Sequence, residues 1–277
     1  MVDQLHKQII DLQEKLTDLT SSGNKRSTKS TLTAKYHFQD ITHVSTAMHD
    51  IIMHCKQAAK SDSSVMIYGE TGTGKELIAQ SLHNASKRAN GPFLAINCAA
   101  LPEPLLESLL FGTERGSYTG AESRAGLFEQ ANHGTLLLDE LNSMNISVQS
   151  KLLRVLQEDY LRRVGGSRDI PVDVRIIATV NEPPMELIEK GLLRRDLYYR
   201  LNVVNITIPP LRERPDDIPI LCEYFLEKHN RKYGKEVWML SEGALNRLKD
   251  YSYPGNVREL ENRIMSAGFP WRIGNTF

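Results

Sequence analysis

Apolar residues follow three rhythms along the 277-residue chain. Val2, Ile9 and Leu16 share one heptad position, and Leu5, Leu12 and Leu19 fall three residues after each of them. A seam of this kind, with β-branched residues at two of its positions, predicts a parallel coiled coil over residues 1–20. The alternative is an amphipathic helix packed on its own domain. Residues 21–36 are polar, contain four bases and no acid, and read as a flexible linker.

From residue 37 the rhythm changes. Met48, Ile51, Ile52, Cys55 and Ala59 form one apolar helical face, with Ser45 placed as its N-cap. Short apolar runs at 65–68, 93–97, 135–138, 174–180 and 203–208 are unbroken rather than alternating. Helical stretches lie between them, notably 75–86 and 147–158. Unbroken strands alternating with helices predict an α/β fold: a parallel sheet covered by helices on both faces. This unit runs from 37 to 211. Beyond Pro209-Pro210 the pattern is helical only, near 216–230, 241–250 and 256–266, which predicts a small all-α unit over 212–266. Residues 267–277 read as an irregular tail.

Composition narrows the class of protein. With 40% apolar and 25% charged residues, the chain has the make-up of a water-soluble globular protein. Its 34 basic and 34 acidic side chains cancel, which argues against a dedicated basic nucleic-acid surface. Three cysteines without CxxC spacing suggest neither a metal site nor a disulfide framework, and point to a reducing, cytoplasmic setting. No apolar run is long enough to span a membrane.

The chemistry begins at the first glycine-rich turn. Gly69, Glu70, Thr71, Gly72, Thr73, Gly74 and Lys75 fit the G-x-x-x-x-G-K phosphate loop, between an expected strand and an expected helix. Glycines let backbone N–H groups converge on phosphate oxygens, the helix aims its positive end at them, and Lys75 neutralises their charge. Position 76 departs from the pattern: Glu76 stands where Ser or Thr holds Mg²⁺, so Glu76 is expected to point away. Some 65 residues later the run Leu136-Leu137-Leu138 ends in Asp139 and Glu140. Asp139 is the candidate Mg²⁺ ligand and Glu140 the candidate for polarising an attacking water. Taken alone, the two acids could be a solvated strand exit. Together with the loop they predict hydrolysis of ATP with Mg²⁺.

These residues resemble the AAA+ domain of bacterial sigma-54-dependent activators, over about Phe38 to Asn262. The phosphate loop of that family commonly carries glutamate at the position of Glu76. Gly116, Ser117, Tyr118, Thr119, Gly120 and Ala121 are similar to its GAFTGA loop, with Ser and Tyr in place of Ala and Phe. The resemblance implies that this loop grips sigma-54. It further implies an arginine finger at Arg194 or Arg200, a sensor II arginine at Arg258 and a sensor I position at Asn181. It also implies that Asn97 restrains Glu140. Val180 stands where the family usually has threonine. The implied activity is ATP hydrolysis that remodels sigma-54 RNA polymerase for promoter opening, by a ring, with a hexamer expected. Families of this kind usually add a sensory domain and a DNA-binding helix-turn-helix, and neither is evident in the sequence given.

Asn256 and Glu259 are expected to cap the last helix, setting Arg258 in its first turn. His49 and His54 lie five apart, off the spacing of paired metal ligands. His133, just ahead of the acidic strand, could approach the site, and Trp238 and Trp271 read as packing residues. Two other functions remain open on the residues: a different AAA+ ring remodeller, or a regulatory fragment that binds nucleotide without hydrolysing it.

Overall fold

The computed structural model describes residues 33–116, 122–235 and 240–268. The heptad segment, most of the linker, residues 117–121, both tryptophans and the tail from 269 lie outside them. Helix α1 (Thr46–Ala58) opens the domain, and the Ser45 hydroxyl caps it by accepting the N–H of Met48 at 3.4 Å. Strand β1 (Val65–Tyr68) then leads through a glycine-rich turn into α2 (Lys75–Asn84). Next come β2 (Phe93–Asn97), α3 (Glu103–Phe111) and a two-residue antiparallel stem, β3 (Gly112–Thr113) with β4 (Arg124–Ala125). A short α4 (Leu127–Gln130), β5 (Thr135–Asp139) and α5 (Ile146–Glu158) follow. A second small hairpin pairs β6 (Tyr160–Leu161) with β7 (Ile170–Pro171). The unit closes with β8 (Arg175–Val180), α6 (Pro184–Glu189), α7 (Arg195–Leu201) and β9 (Val204–Thr207).

The main sheet is five-stranded and parallel, in the order β2-β5-β8-β1-β9. Side chains of a strand alternate between faces. Leu136 and Leu138 therefore join one apolar cluster with Leu106, Leu110, Val148 and Leu152, from α3 and α5. Leu137 joins the other, with Met48, Ile52, Ile78 and Leu82, from α1 and α2. Helices cover both faces, as the unbroken apolar runs predict. The prediction holds in full only for β1, β5 and β8. The edge strands alternate, with Ala95 and Asn97 exposed on β2 and Asn205 and Thr207 on β9. Edge positions receive incomplete cover, so polar residues there carry no desolvation cost.

Three helices follow the sheet: α8 (Asp217–Tyr233), α9 (Glu242–Lys249) and α10 (Asn256–Gly268). They bury a cluster of their own around Leu221, Phe225, Tyr253, Leu260 and Ile264. Cys55, Cys98 and Cys222 are all buried and free, and burial pushes their thiols up to about 12, 12 and 11. No helix among the described residues is long and apolar enough to cross a membrane.

Candidate nucleotide site

In an open parallel sheet, ligands gather at the carboxyl ends of the strands. The turn after β1 has that position. Gly72 and Gly74 hold φ of +82° and +103°, values that a side chain would strain. The N–H groups of Leu77 and Ile78 both donate to the Gly74 carbonyl, so α2 begins abruptly and its leading N–H groups face the turn. Lys75 is 8% exposed, and its ammonium donates to the carbonyls of Gly69 at 2.6 Å and Glu70 at 3.1 Å. Burial draws its pKa below the usual lysine range, opposed by the charges of Asp139 and Glu140. A buried cation served only by neutral carbonyls is matched to an anion arriving on the loop. Glu76 is exposed, with its carboxylate accepting from Gln80 one turn further on at 3.0 Å.

The two acids stand at the end of β5, Asp139 as its last residue and Glu140 just after it, and β8 alone separates β5 from β1. Asp139 accepts the Thr179 hydroxyl at 2.6 Å and the Asn97 amide at 3.3 Å. Glu140 sits in the left-handed region, φ 54°, and its N–H donates to the same Thr179 hydroxyl at 3.0 Å. Thr179 is fully buried at the end of β8 and escaped the sequence reading, where it looks like one more apolar-strand residue. Asn97 is corrected in its partner: its amide meets Asp139, not Glu140, because β2 and β5 pair in a register that sets Asn97 beside Asp139.

The helical unit closes the other side. Gly72 accepts the N–H groups of Val257 at 3.0 Å and Arg258 at 3.4 Å. The first turn of α10 thus rests on the phosphate loop, and a Cβ on Gly72 would lie 2.3 Å from the Gly255 carbonyl. The expected Asn256–Glu259 capping pair does not form. Asn256, with φ 52°, sends its amide N–H to Glu70 and to the Thr71 carbonyl, both at 3.1 Å, and accepts the Leu211 N–H at 2.8 Å. Glu259 accepts from Gly255 instead, at 2.9 Å. Arg212 grips Glu70 with both terminal nitrogens, at 2.8 and 2.6 Å, holding the Glu70 carboxyl below its ordinary range. The Glu70 side chain is therefore spent on fastening the loop.

A cavity of about 370 Å³ joins these parts. Thr71 to Glu76, Asn97, Asp139, Glu140 and Arg258 line its polar side, and Tyr36, Ile41, Leu221, Tyr224 and Phe225 its less polar side. Among the described residues no three His, Cys, Asp or Glu side chains are grouped to hold a metal. A divalent cation at Asp139 would draw on nucleotide oxygens, as Mg²⁺ commonly does.

Asn181, Arg194 and Arg200 do not line the cavity. Arg194 precedes α7, its side chain forked onto Asp196 at 3.0 and 2.6 Å and bonded to Ser150. Arg200 is clamped to the Leu156 carbonyl. Asn181 has a buried side-chain oxygen with no partner among the described residues. His133 lies at the opposite end of β5 from the acids, beside Asp173 at 3.2 Å, so it does not approach the site. Of residues 116–121, only Gly116 falls among the described residues.

Residues 41–207 match the family described as the sigma-54 interaction domain, and residues 212–269 match the AAA+ ATPase lid domain. The chain belongs to the sigma-54 interaction domain family. It is similar to the transcriptional activator RocR of Bacillus subtilis (strain 168), 53% identical over 84% of this chain and 50% of that protein. The regulatory protein AtoC of Escherichia coli (strain K12) is 48% identical over 85% of this chain and 51% of its own. The chain spans about half the length of these curated relatives. NtrX from Brucella abortus, solved in complex with ADP, superposes with a TM-score of 0.76 at 36% identity, over 82% of this chain and 50% of that one. A chain of Hsp104, at 18% identity and a TM-score of 0.61, shares the fold. The chain thus has an AAA+ P-loop NTPase fold of the kind carried by sigma-54-dependent transcriptional activators, which suggests ATPase activity.

Proposed function

We propose that this chain is the motor portion of a sigma-54-dependent activator, hydrolysing ATP to remodel sigma-54 RNA polymerase for open-complex formation. The observation that carries the reading is Lys75: a buried ammonium held by two carbonyls of its own loop, sharing one cavity with Asp139 and Glu140. The triphosphate lies along residues 69–75, with Lys75 turned from the carbonyls to the β- and γ-oxygens. Magnesium, when bound at Asp139, neutralises charge on those oxygens. Glu140 orients the attacking water and accepts its proton, while Thr179 fixes both acids. Arg258, in the first turn of α10, meets the phosphates from the lid side. Arg194, which does not line its own cavity, serves the site of a neighbouring copy in a ring, where an arginine stabilises the charge of the transferring phosphoryl group. Residues 116–121 grip sigma-54, and nucleotide turnover moves them.

Two measurements test this. Glu140→Gln should bind ATP and lose turnover, while Lys75→Ala should lose binding. Thr119→Ala should hydrolyse ATP at the wild-type rate and fail to retain sigma-54 in the presence of a transition-state analogue. Equal retention by wild type and Thr119→Ala would remove the assignment of the partner, and turnover unaffected by Glu140→Gln would remove the mechanism.

A further inference from the structure

The phosphate loop is fastened from outside by a buried charged pair that no motif announces. Arg214 is 4% exposed and follows the 3-10 turn Leu211–Glu213. Its Nη2 donates to the Thr73 carbonyl at 3.1 Å, and its Nη1 lies 3.6 Å from Asp217 Oδ2. Its Nε is buried without a partner among the described residues. Asp217 is fully buried, and its other donors all come from the segment that leads into the domain. Oδ1 accepts the N–H groups of Val44 at 2.6 Å and Ser45 at 2.7 Å, and Oδ2 accepts the Ser45 hydroxyl at 2.9 Å.

Each end of this chain of contacts touches the nucleotide cavity. Arg214 lines it, and so do Tyr36, Asp40, Ile41 and Thr42, just ahead of Val44. At the Thr73 end the effect follows from peptide geometry. The chain has no cis peptide among the described residues, and across a trans peptide the carbonyl and the following N–H point in opposite directions. Arg214 draws the Thr73 carbonyl toward the lid side, so the Gly74 N–H is aimed the other way. Burial leaves the guanidinium dependent on few partners, and a buried ion loses heavily when one of them is withdrawn. The orientation of the 73–74 peptide therefore depends on how completely Asp217 is held by Val44 and Ser45.

We propose that Arg214 and Asp217 form a positioning pair that ties the shape of the phosphate loop at Thr73 to the seating of residues 36–45. A displacement of that entry segment then changes nucleotide affinity. The inference rests on reading the cavity as a nucleotide site.

A double-mutant cycle on the full 277-residue chain tests it, with ADP and ATP affinities measured by calorimetry and Tm recorded for each variant. Ser45→Ala removes one donor to Asp217, and should weaken ADP binding about threefold, a typical coupling for residues in one network. In an Arg214→Lys background, where the fork to Thr73 and Asp217 is already lost, Ser45→Ala should change ADP affinity by less than about 1.5-fold. Should Arg214→Lys fail to fold, the isosteric Asp217→Asn takes its place in the cycle. A Ser45→Ala chain with lowered Tm and wild-type ADP affinity would overturn the pair as a positioning device, as would equal weakening in both backgrounds. A wild-type chain that binds neither nucleotide would instead overturn the reading of the cavity, and the positioning pair with it.

Discussion

The Thr179 hydroxyl joins the two acids of the site, donating to Asp139 at 2.6 Å and accepting the N–H of Glu140 at 3.0 Å. Both bonds come from one buried side chain at the end of β8, the strand between the phosphate loop and β5. Thr179→Val keeps the shape and deletes both bonds, and a lost bond to a charged group corresponds to about tenfold in rate at the low end. The variant should hydrolyse ATP about tenfold more slowly with ADP affinity nearly unchanged, and Thr179→Ser should recover most of the turnover. Steady-state ATPase assays beside ADP titrations decide it. A loss confined to ADP affinity would contradict the role given to Thr179.

Asn256 is a second junction, and its two polar atoms are not interchangeable. The amide N–H faces the Glu70 carboxylate and the Thr71 carbonyl, while the oxygen accepts from Leu211. Asn256→Asp keeps the acceptor and turns the donor into a carboxylate beside Glu70, a half-buried like-charge contact. Asn256→Gly suits the positive φ and loses the bonds without adding charge. The aspartate variant should therefore be the less stable of the two, by about 1–2 kcal/mol, on the scale of a lost charged hydrogen bond. Chemical denaturation of both variants would check the order, and a more stable aspartate variant would contradict it.

His83 gives the fold a pH dependence. It is 1% exposed, its Nδ1 lies 2.9 Å from the Thr135 hydroxyl, and burial lowers its pKa from 6.5 to about 4, with Arg175 acting in the same direction. Between those values the unfolded chain binds a proton that the folded chain does not. Stability should therefore be complete above about pH 6.5 and fall as pH drops toward 4, by at most about 3 kcal/mol from this group. His83→Gln should flatten the dependence in that window. Denaturation midpoints between pH 4 and 7 measure it, and an unchanged slope in the variant would exclude His83 as the cause.

Arg194 supplies a prediction about assembly. Its guanidinium is half-buried, forked on Asp196, and does not line its own chain's cavity. Arg194→Ala should reduce turnover by about 10³-fold or more, the range of arginine fingers. Adding Lys75→Ala chains should restore part of it, since they carry an intact finger and an inactive loop. Mixed-chain ATPase titrations provide the readout. No restoration at any ratio would show that Arg194 serves its own chain or none.

The sheet was largely legible in the sequence because buried parallel strands are apolar throughout and short. The runs at 65–68 and 93–97 have the observed bounds, and those at 135–138, 174–180 and 203–208 lie within one or two residues of them. The phosphate loop and the two acids were legible because their chemistry is local. What escaped depends on contacts between distant residues. Arg212 reaches Glu70 across 142 positions, and Asn256 reaches it across 186. Neither pair leaves a periodic trace. Asn256 beside Glu259 imitates a capping box so well that only the positive φ and the loop contacts reveal its other use. Thr179 was hidden by its setting, since β-branched threonine is at home in a strand. The acid beside Asn97 is Asp139, because sheet register, not sequence spacing, decides which carboxylate lies next to it.

The three buried cysteines have a practical consequence. A thiol with a pKa near 12 is almost entirely protonated at neutral pH, and only the thiolate reacts with maleimides. A cysteine introduced at an exposed position, with a pKa nearer the ordinary ~8.5, would carry roughly hundreds to thousands of times more thiolate. A dye or spin probe can therefore be attached at exposed Glu122 or Ser123 without first clearing the chain of its natural cysteines. Any displacement of that point during nucleotide turnover would then be directly observable.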